Sequence, residues 1–133
     1  EVVVENVIPQ HLESLLSKLH EIGVDIKVDV DRLIIKGNTG NLKASDIKTL
    51  PYPGFATDIQ QPLTALLTQA HGQSIVTETI YTERFKHCQE LAKMGANINV
   101  MIPSSFINGP TPYPVLKCLQ PICVVEHALS LPD

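Results

Sequence analysis

Two stretches of this chain repeat one another at a spacing of 72 residues, Glu21-Ile-Gly-Val-Asp-Ile-Lys-Val28 and Lys93-Met-Gly-Ala-Asn-Ile-Asn-Val100. The same spacing aligns Leu19 with Leu91, Ile35 with Ile107 and Gly37 with Gly109. In each copy an apolar helical stripe meets a glycine, and an alternating β-branched pattern follows. The chain is therefore expected to be built from repeated helix-and-sheet units that need neighbours to cover their apolar faces. An α/β (α+β) fold is predicted.

Each unit can be read from its periodicity. Glu1 to Val4 is a β-branched run that opens without a start methionine and reads as the inside of a strand of something longer. Leu12, Leu15, Leu16 and Leu19 fall on one helical stripe that starts near Pro9 and stops at Gly23. Val24, Ile26 and Val28 then alternate with polar residues and pair with Leu33 to Ile35 as a hairpin, and Leu42 to Ala44 adds a short strand. Pro51, Pro53 and Gly54 make 48–57 a fixed irregular loop. A second helix is expected over 58–70, with Ile59, Leu63, Leu66 and Leu67 inward and Gly72 at its end. A strand follows over 74–79, and a third helix runs from Glu83 to Met94, closed by Gly95.

Charge and cysteine usage narrow the function classes. The net charge of −4 gives no basic surface of the kind that attracts nucleic acid or anionic lipid. No apolar run reaches the roughly eighteen residues of a membrane span, and the first residues carry no signal-peptide pattern, so a cytoplasmic protein is expected. Cys88, Cys118 and Cys123 form no CxxC pair and read as small buried thiols. His11, His20, His71 and His87 lack metal-ligand spacing, and the glycines form neither a dinucleotide nor a P-loop pattern, so no metal and no cofactor is expected.

Two places invite chemistry. The stiff loop Lys48 to Thr57 delivers Thr57 and Asp58 to a helix start. There Asp58 is either an N-cap or a carboxylate free to orient a substrate hydroxyl. Arg84 falls in the first turn of the third helix, where the dipole disfavours a cation. It is either a surface ion pair with Glu83 or Glu78, or a clamp for a phosphate or carboxylate.

The run Lys43-Ala-Ser-Asp-Ile-Lys-Thr-Leu-Pro-Tyr-Pro-Gly-Phe-Ala-Thr-Asp-Ile-Gln60, with Leu66-Leu-Thr-Gln-Ala70, Thr77-Glu-Thr-Ile80, Arg84-Phe-Lys-His87, Leu91 and Met94-Gly-Ala96, resembles UDP-N-acetylglucosamine enolpyruvyl transferases from about Val7 to Val100. The resemblance implies an inside-out α/β barrel of repeated units, incomplete here. It also implies transfer of the enolpyruvyl group of phosphoenolpyruvate to the 3′-hydroxyl of UDP-N-acetylglucosamine in peptidoglycan precursor synthesis. Residue by residue, it implies that Asp58 contacts the sugar hydroxyl and takes its proton. It implies further that the Ile80 backbone holds the sugar nucleotide and that Arg84 lies on the phosphoenolpyruvate side. The family's N-terminal Lys-Asn pair, its mobile cysteine loop and several arginines have no counterpart in this sequence, so the chain alone is expected to be inactive. A non-catalytic sugar-nucleotide binding module and a non-functional truncated product are the alternatives. Uncovered apolar faces over Leu12 to Leu19 and Leu63 to Leu67 make self-association an expectation.

Residues 1–109 thus read as a partial domain of two related units, near 1–44 and 73–109, joined by the proline loop and a helix. After Gly109 come three prolines in six residues, and 110–133 lacks a clear period. The family motif Ala-Thr-Asp-Leu-Arg is absent there. A neighbouring reading frame of Gln120 to Asp133 can nevertheless spell it, so 110–133 reads as an aberrant tail after a frameshift near Lys117 to Leu119.

Overall fold

A computed structural model describes residues 1–37 and 41–112. Strand β1 (Val2–Glu5) leads through a 3-10 turn (Pro9–Leu12) into α1 (Glu13–Ile22), then β2 (Asp25–Val28) and β3 (Arg32–Lys36). The short β4 (Ile47–Lys48), a 3-10 turn (Thr57–Ile59), α2 (Gln60–Leu67) and β5 (Gly72–Thr77) follow. The described chain continues with α3 (Lys86–Lys93), β6 (Asn97–Met101) and β7 (Ser104–Gly109). The first sheet has the order β1-β3-β2 and the second the order β4-β5-β7-β6.

The repeat extends to the strand register. Val2 opposes Ile35 and Val4 opposes Leu33 in the first sheet, while Ser74 opposes Ile107 and Val76 opposes Ser105 in the second. Ile26 opposes Ile35, and Ile98 opposes Ile107. All these pairs are related by the same spacing of 72. The helix stops agree as well. Gly23 and Gly95 adopt φ of 102° and 111°, and the following residues, Val24 and Ala96, donate to the carbonyls of Leu19 and Leu91 at 2.9 and 3.0 Å. A left-handed glycine at this point satisfies carbonyls that a helix end otherwise leaves bare.

One core joins the units. Ile22 from α1, Leu63 and Leu67 from α2, Val76 from β5 and Ile107 from β7 are all buried in it, with Leu42, Ile47 and Phe55 from the connecting segment. The connection is also polar: Ser45 Oγ donates to Glu21 at 2.8 Å, and Asp46 accepts from the Ile75 amide at 3.0 Å. Coverage is uneven. The stripe Leu12, Leu15, Leu16 and Leu19 is only half-buried, and Val2, Val3, Val4 and Val28 in the first sheet are exposed. Leu63 and Leu67, by contrast, are covered, because α2 lies between the second sheet and the connecting segment. The mixed helix-and-sheet class is as expected, and among the described residues no barrel closes.

Three local expectations differ. Leu42 to Ala44 forms a single bridge, Lys43 with His71, and the extended pairing comes at Ile47–Lys48 against β5. The second helix ends at Leu67, before the turn that leads to Gly72, and Gly72 instead opens β5. The third helix starts at Lys86, because 81–85 forms a turn closed by the Arg84 amide on the Tyr81 carbonyl at 3.0 Å. Past Gly109 the chain stays packed through Thr111, whose amide donates to the Thr68 carbonyl at 2.8 Å and whose carbonyl accepts from Gln69. The reading of the rest of the tail, 113–133, lies outside the described residues.

Two tests of this packing follow. A Cβ at Gly109 would sit 2.3 Å from the Ala70 carbonyl oxygen and 2.7 Å from that of Thr68, whereas its repeat counterpart Gly37 has nothing within 4 Å among the described residues. Gly109→Ala should cost about 1–3 kcal/mol of unfolding free energy, as overpacking does. Gly37→Ala should stay within about 0.5 kcal/mol of the parent. Equal effects in denaturant titrations would contradict the close approach of β7 to the turn after α2.

His87 is 1% exposed, and burial, helped by the charge of Arg84, lowers its pKa from 6.5 to about 4. Between those values the unfolded chain binds a proton that the folded chain refuses, so stability falls as pH drops through this window. The loss should reach about 2 kcal/mol between pH 7.5 and 5, read by urea unfolding. It should shrink in His87→Phe, and an unchanged slope in that variant would contradict the buried neutral imidazole.

Candidate functional site

The strand alternation of β5 points Ser74, Val76 and then Glu78 inward, and all three are buried. Glu78 is 0% exposed and meets four neutral donors. Its Oε2 accepts from Thr49 Oγ1 at 2.7 Å and from the amides of Ile80 and Tyr81 at 3.0 and 3.1 Å. Its Oε1 accepts from Thr57 Oγ1 at 2.5 Å. Burial by itself pulls this carboxyl's pKa up. The bonds from Thr57, Thr49, Tyr81 and Ile80 together outweigh it, leaving the group below its ordinary 4.5.

This cluster assembles the predicted residues. Thr57 begins the 3-10 turn that carries Asp58 outward, where Asp58 Oδ1 accepts from Arg84 Nη1 at 3.1 Å. The Asp58 side chain is 88% exposed and that of Arg84 33%, so the pair is an open one, of little intrinsic strength. Arg84 also reaches Thr57 Oγ1 at 3.4 Å and lies over the Tyr81 ring with its guanidinium carbon 4.6 Å from the centroid. Gln60 Nε2 donates to the Arg84 carbonyl at 3.2 Å and ties the turn before α3 to α2. Ile80, Tyr81, Arg84, Gln61 and Lys86 line an open cleft of about 550 Å³. Asp58, Ile80 and Arg84 are thus brought together at one surface, although 26 residues separate Asp58 from Arg84.

Two details of the expected site change. Neither Thr57 nor Asp58 caps a helix: the 3-10 turn is preceded by Ala56, α2 by Ile59, and neither start has a side-chain cap bond. Arg84 precedes α3 instead of occupying its first turn, and its partner is Asp58 and not Glu83 or Glu78. Sequence reasoning passed over Glu78 as a buried group. The available signal was a carboxylate at the inward position of a strand alternation, in a chain that also offers the hydroxyls of Thr49 and Thr57 to satisfy it.

Other titratable groups stay outside the cleft. Cys88 is 1% exposed, and burial raises its thiol pKa to about 11, so it is an inert core thiol, as expected. Cys118 and Cys123 lie outside the described residues. Among the described residues no three His, Cys, Asp or Glu side chains gather as a metal site requires. Nor is any helix there long and apolar enough to cross a membrane.

Comparison with known proteins shows the family. Residues 1–115 match the family model described as EPSP synthase (3-phosphoshikimate 1-carboxyvinyltransferase). The chain is 58% identical over 110 residues to UDP-N-acetylglucosamine 1-carboxyvinyltransferase 2 of Bacillus subtilis, covering 83% of this chain and 26% of that protein. It is 54% identical over 109 residues to UDP-N-acetylglucosamine 1-carboxyvinyltransferase of Clostridium botulinum, with 82% and 26% covered. The chain spans about a quarter of the length of these relatives. The enolpyruvyl transferase NikO from Streptomyces tendae shares the fold, with a TM-score of 0.71 at 24% identity over 77% of this chain and 23% of that one. A repeated helix-and-hairpin unit and a family match over most of the sequence lead to one conclusion: the chain belongs to the EPSP synthase family, the family of the carboxyvinyltransferases.

Proposed function

We propose that this chain forms one wall of the substrate cleft of an enolpyruvyl transferase acting on UDP-N-acetylglucosamine and phosphoenolpyruvate. The observation that carries the reading is the pairing of Asp58 with Arg84, which together with Ile80 lines one open cleft. In the proposed reaction the sugar 3′-oxygen gives up its proton and bonds to C2 of phosphoenolpyruvate as C3 takes a proton, which forms a tetrahedral adduct; loss of a C3 proton and cleavage of the C2–O bond to phosphate then restore the double bond and release inorganic phosphate. Asp58, exposed and paired with one cation among the described residues, accepts the hydrogen bond of the sugar hydroxyl and takes its proton. Arg84, its side chain a third exposed and its guanidinium backed by the Tyr81 ring, offers donors to an anionic substrate group. The Ile80 amide is already bound to Glu78, so Ile80 contributes its carbonyl oxygen to the nucleotide.

Peptidoglycan precursor synthesis in the cytoplasm, and with it cell-wall biogenesis, cell shape and division, is the setting this reading implies for the intact enzyme. The chain itself acts as a sugar-nucleotide binding unit. Catalysis of this kind depends on groups held on both sides of the reacting atoms, and the donors described here sit on one side. The exposed valines of β1 and β2 are the surface through which copies of the isolated chain would self-associate.

Isothermal titration with UDP-N-acetylglucosamine tests the reading. Saturable heat is expected from the parent chain and none from Asp58→Ala, while a phosphate-release assay with both substrates stays at the no-protein rate. Heat that persists unchanged in Asp58→Ala would move the site elsewhere. No heat from the parent would favour a product without function, and phosphate release above background would overturn the one-wall account.

A further inference from the structure

We infer that Glu78 is a positioning residue for this cleft: its buried carboxylate holds the Thr57–Asp58 turn and the Ile80–Tyr81 loop in the relative placement that a ligand meets. The inference rests on the sugar-nucleotide reading above. Glu78 touches no substrate-facing surface itself, being 0% exposed.

The geometry makes the link specific. Thr57, bonded to Oε1, is the residue before Asp58, so this bond sets the start of the turn that presents Asp58. On the other side the decisive bond is from the Tyr81 amide to Oε2 at 3.1 Å. The amide N–H of Tyr81 and the carbonyl of Ile80 belong to one planar peptide. That peptide is trans, since the cis bonds of the described chain all precede proline. In a trans peptide the N–H and the C=O point in opposite directions. Anchoring the N–H on a buried carboxylate therefore turns the Ile80 carbonyl away from the interior, on the side of the cleft that Ile80 lines. Arg84 is tied to the same frame through its amide on the Tyr81 carbonyl and its Nη1 on Thr57 Oγ1.

A purely structural role does not account for the choice of residue. No Lys or Arg pairs with Glu78 among the described ion pairs. A buried charge without a cation is a poor source of stability compared with an apolar side chain of similar size. What it supplies is acceptor capacity at one point for donors from three separate segments, Thr49, Thr57 and the 80–81 loop.

The test uses the 133-residue chain with Glu78→Gln and Glu78→Ala, reading the Ile80 and Tyr81 amide resonances and the affinity for UDP-N-acetylglucosamine together. Glu78→Gln can keep a carbonyl oxygen on the Oε2 side and so retain both amide bonds while turning an NH2 group towards Thr57. Its amides at 80 and 81 should shift little, and its affinity should fall severalfold. Glu78→Ala frees both ends, so the Tyr81 amide should move and lose protection. Its affinity should fall by about tenfold or more, the scale on which small misplacements act. In the parent, acidification below pH 4.5 should move the Tyr81 amide as the carboxylate takes a proton, and Glu78→Gln should lack that step. If Glu78→Ala does not fold, Glu78→Gln decides: parental affinity together with a parental acid step would overturn the proposal. A folded Glu78→Ala that binds as the parent does, or leaves the Tyr81 amide in place, would overturn it too. A parent chain that binds no sugar nucleotide removes the functional reading and this proposal with it, and that outcome is recognised before any substitution is made.

Discussion

Glu78 enters the core because a strand alternation points it there, and it remains an anion there because two threonine hydroxyls and two backbone amides converge on it. Charge-assisted hydrogen bonds are shorter and stronger than neutral ones, and four of them on one group make a junction more rigid than the loops it joins. Thr49 comes from the end of β4, Thr57 from the turn before α2, and residues 80 and 81 from the loop after β5. Without that junction the Thr57–Asp58 turn would be held to the loop after β5 by the Gln60 bond, a long Arg84–Thr57 contact and the open Asp58–Arg84 pair, and the last of these is weak at an exposed surface. The cleft thus depends on a residue that does not line it.

The scaffold beneath is a repeated unit whose second copy is better covered than its first. In the second copy α2 lies over β5 and β7, and Ile107 and Val76 are fully buried. In the first, the strands present Val2, Val3, Val4 and Val28 to solvent. The residues that face the cleft all lie on the better covered side, from α2 to the start of α3. Fixed donors and acceptors need a support that does not yield, and a packed core with buried polar bonds supplies one.

Much of this was legible in the sequence, for physical reasons. Period and punctuation gave α1 with its stop at Gly23, the hairpins after Gly23 and Gly95, and the spacing of 72 that the strand register keeps. The proline loop and Asp58 stood out because Pro51 and Pro53 forbid regular structure next to a helix start. The misses share a cause, which is that short segments are set by tertiary bonds and not by local preference. Ile47–Lys48 pairs with β5 because Asp46 and Thr49 find partners on or beyond that strand, and the periodicity of 42–48 does not encode those contacts. Arg84 lies ahead of its helix because the 81–85 turn is tethered to Glu78 and Gln60. A buried carboxylate shared by three segments has no signature in any one of them.

The central claim is that the cleft wall is preformed in this chain and belongs to a sugar nucleotide. Amide chemical-shift mapping during titration with UDP-N-acetylglucosamine tests it most directly. The account predicts saturable shifts confined to two stretches, 57–61 and 78–86, with the first sheet and the β6–β7 hairpin unmoved. Shifts spread over β1, β2 and β3, or shifts in neither stretch at saturating ligand, would contradict it.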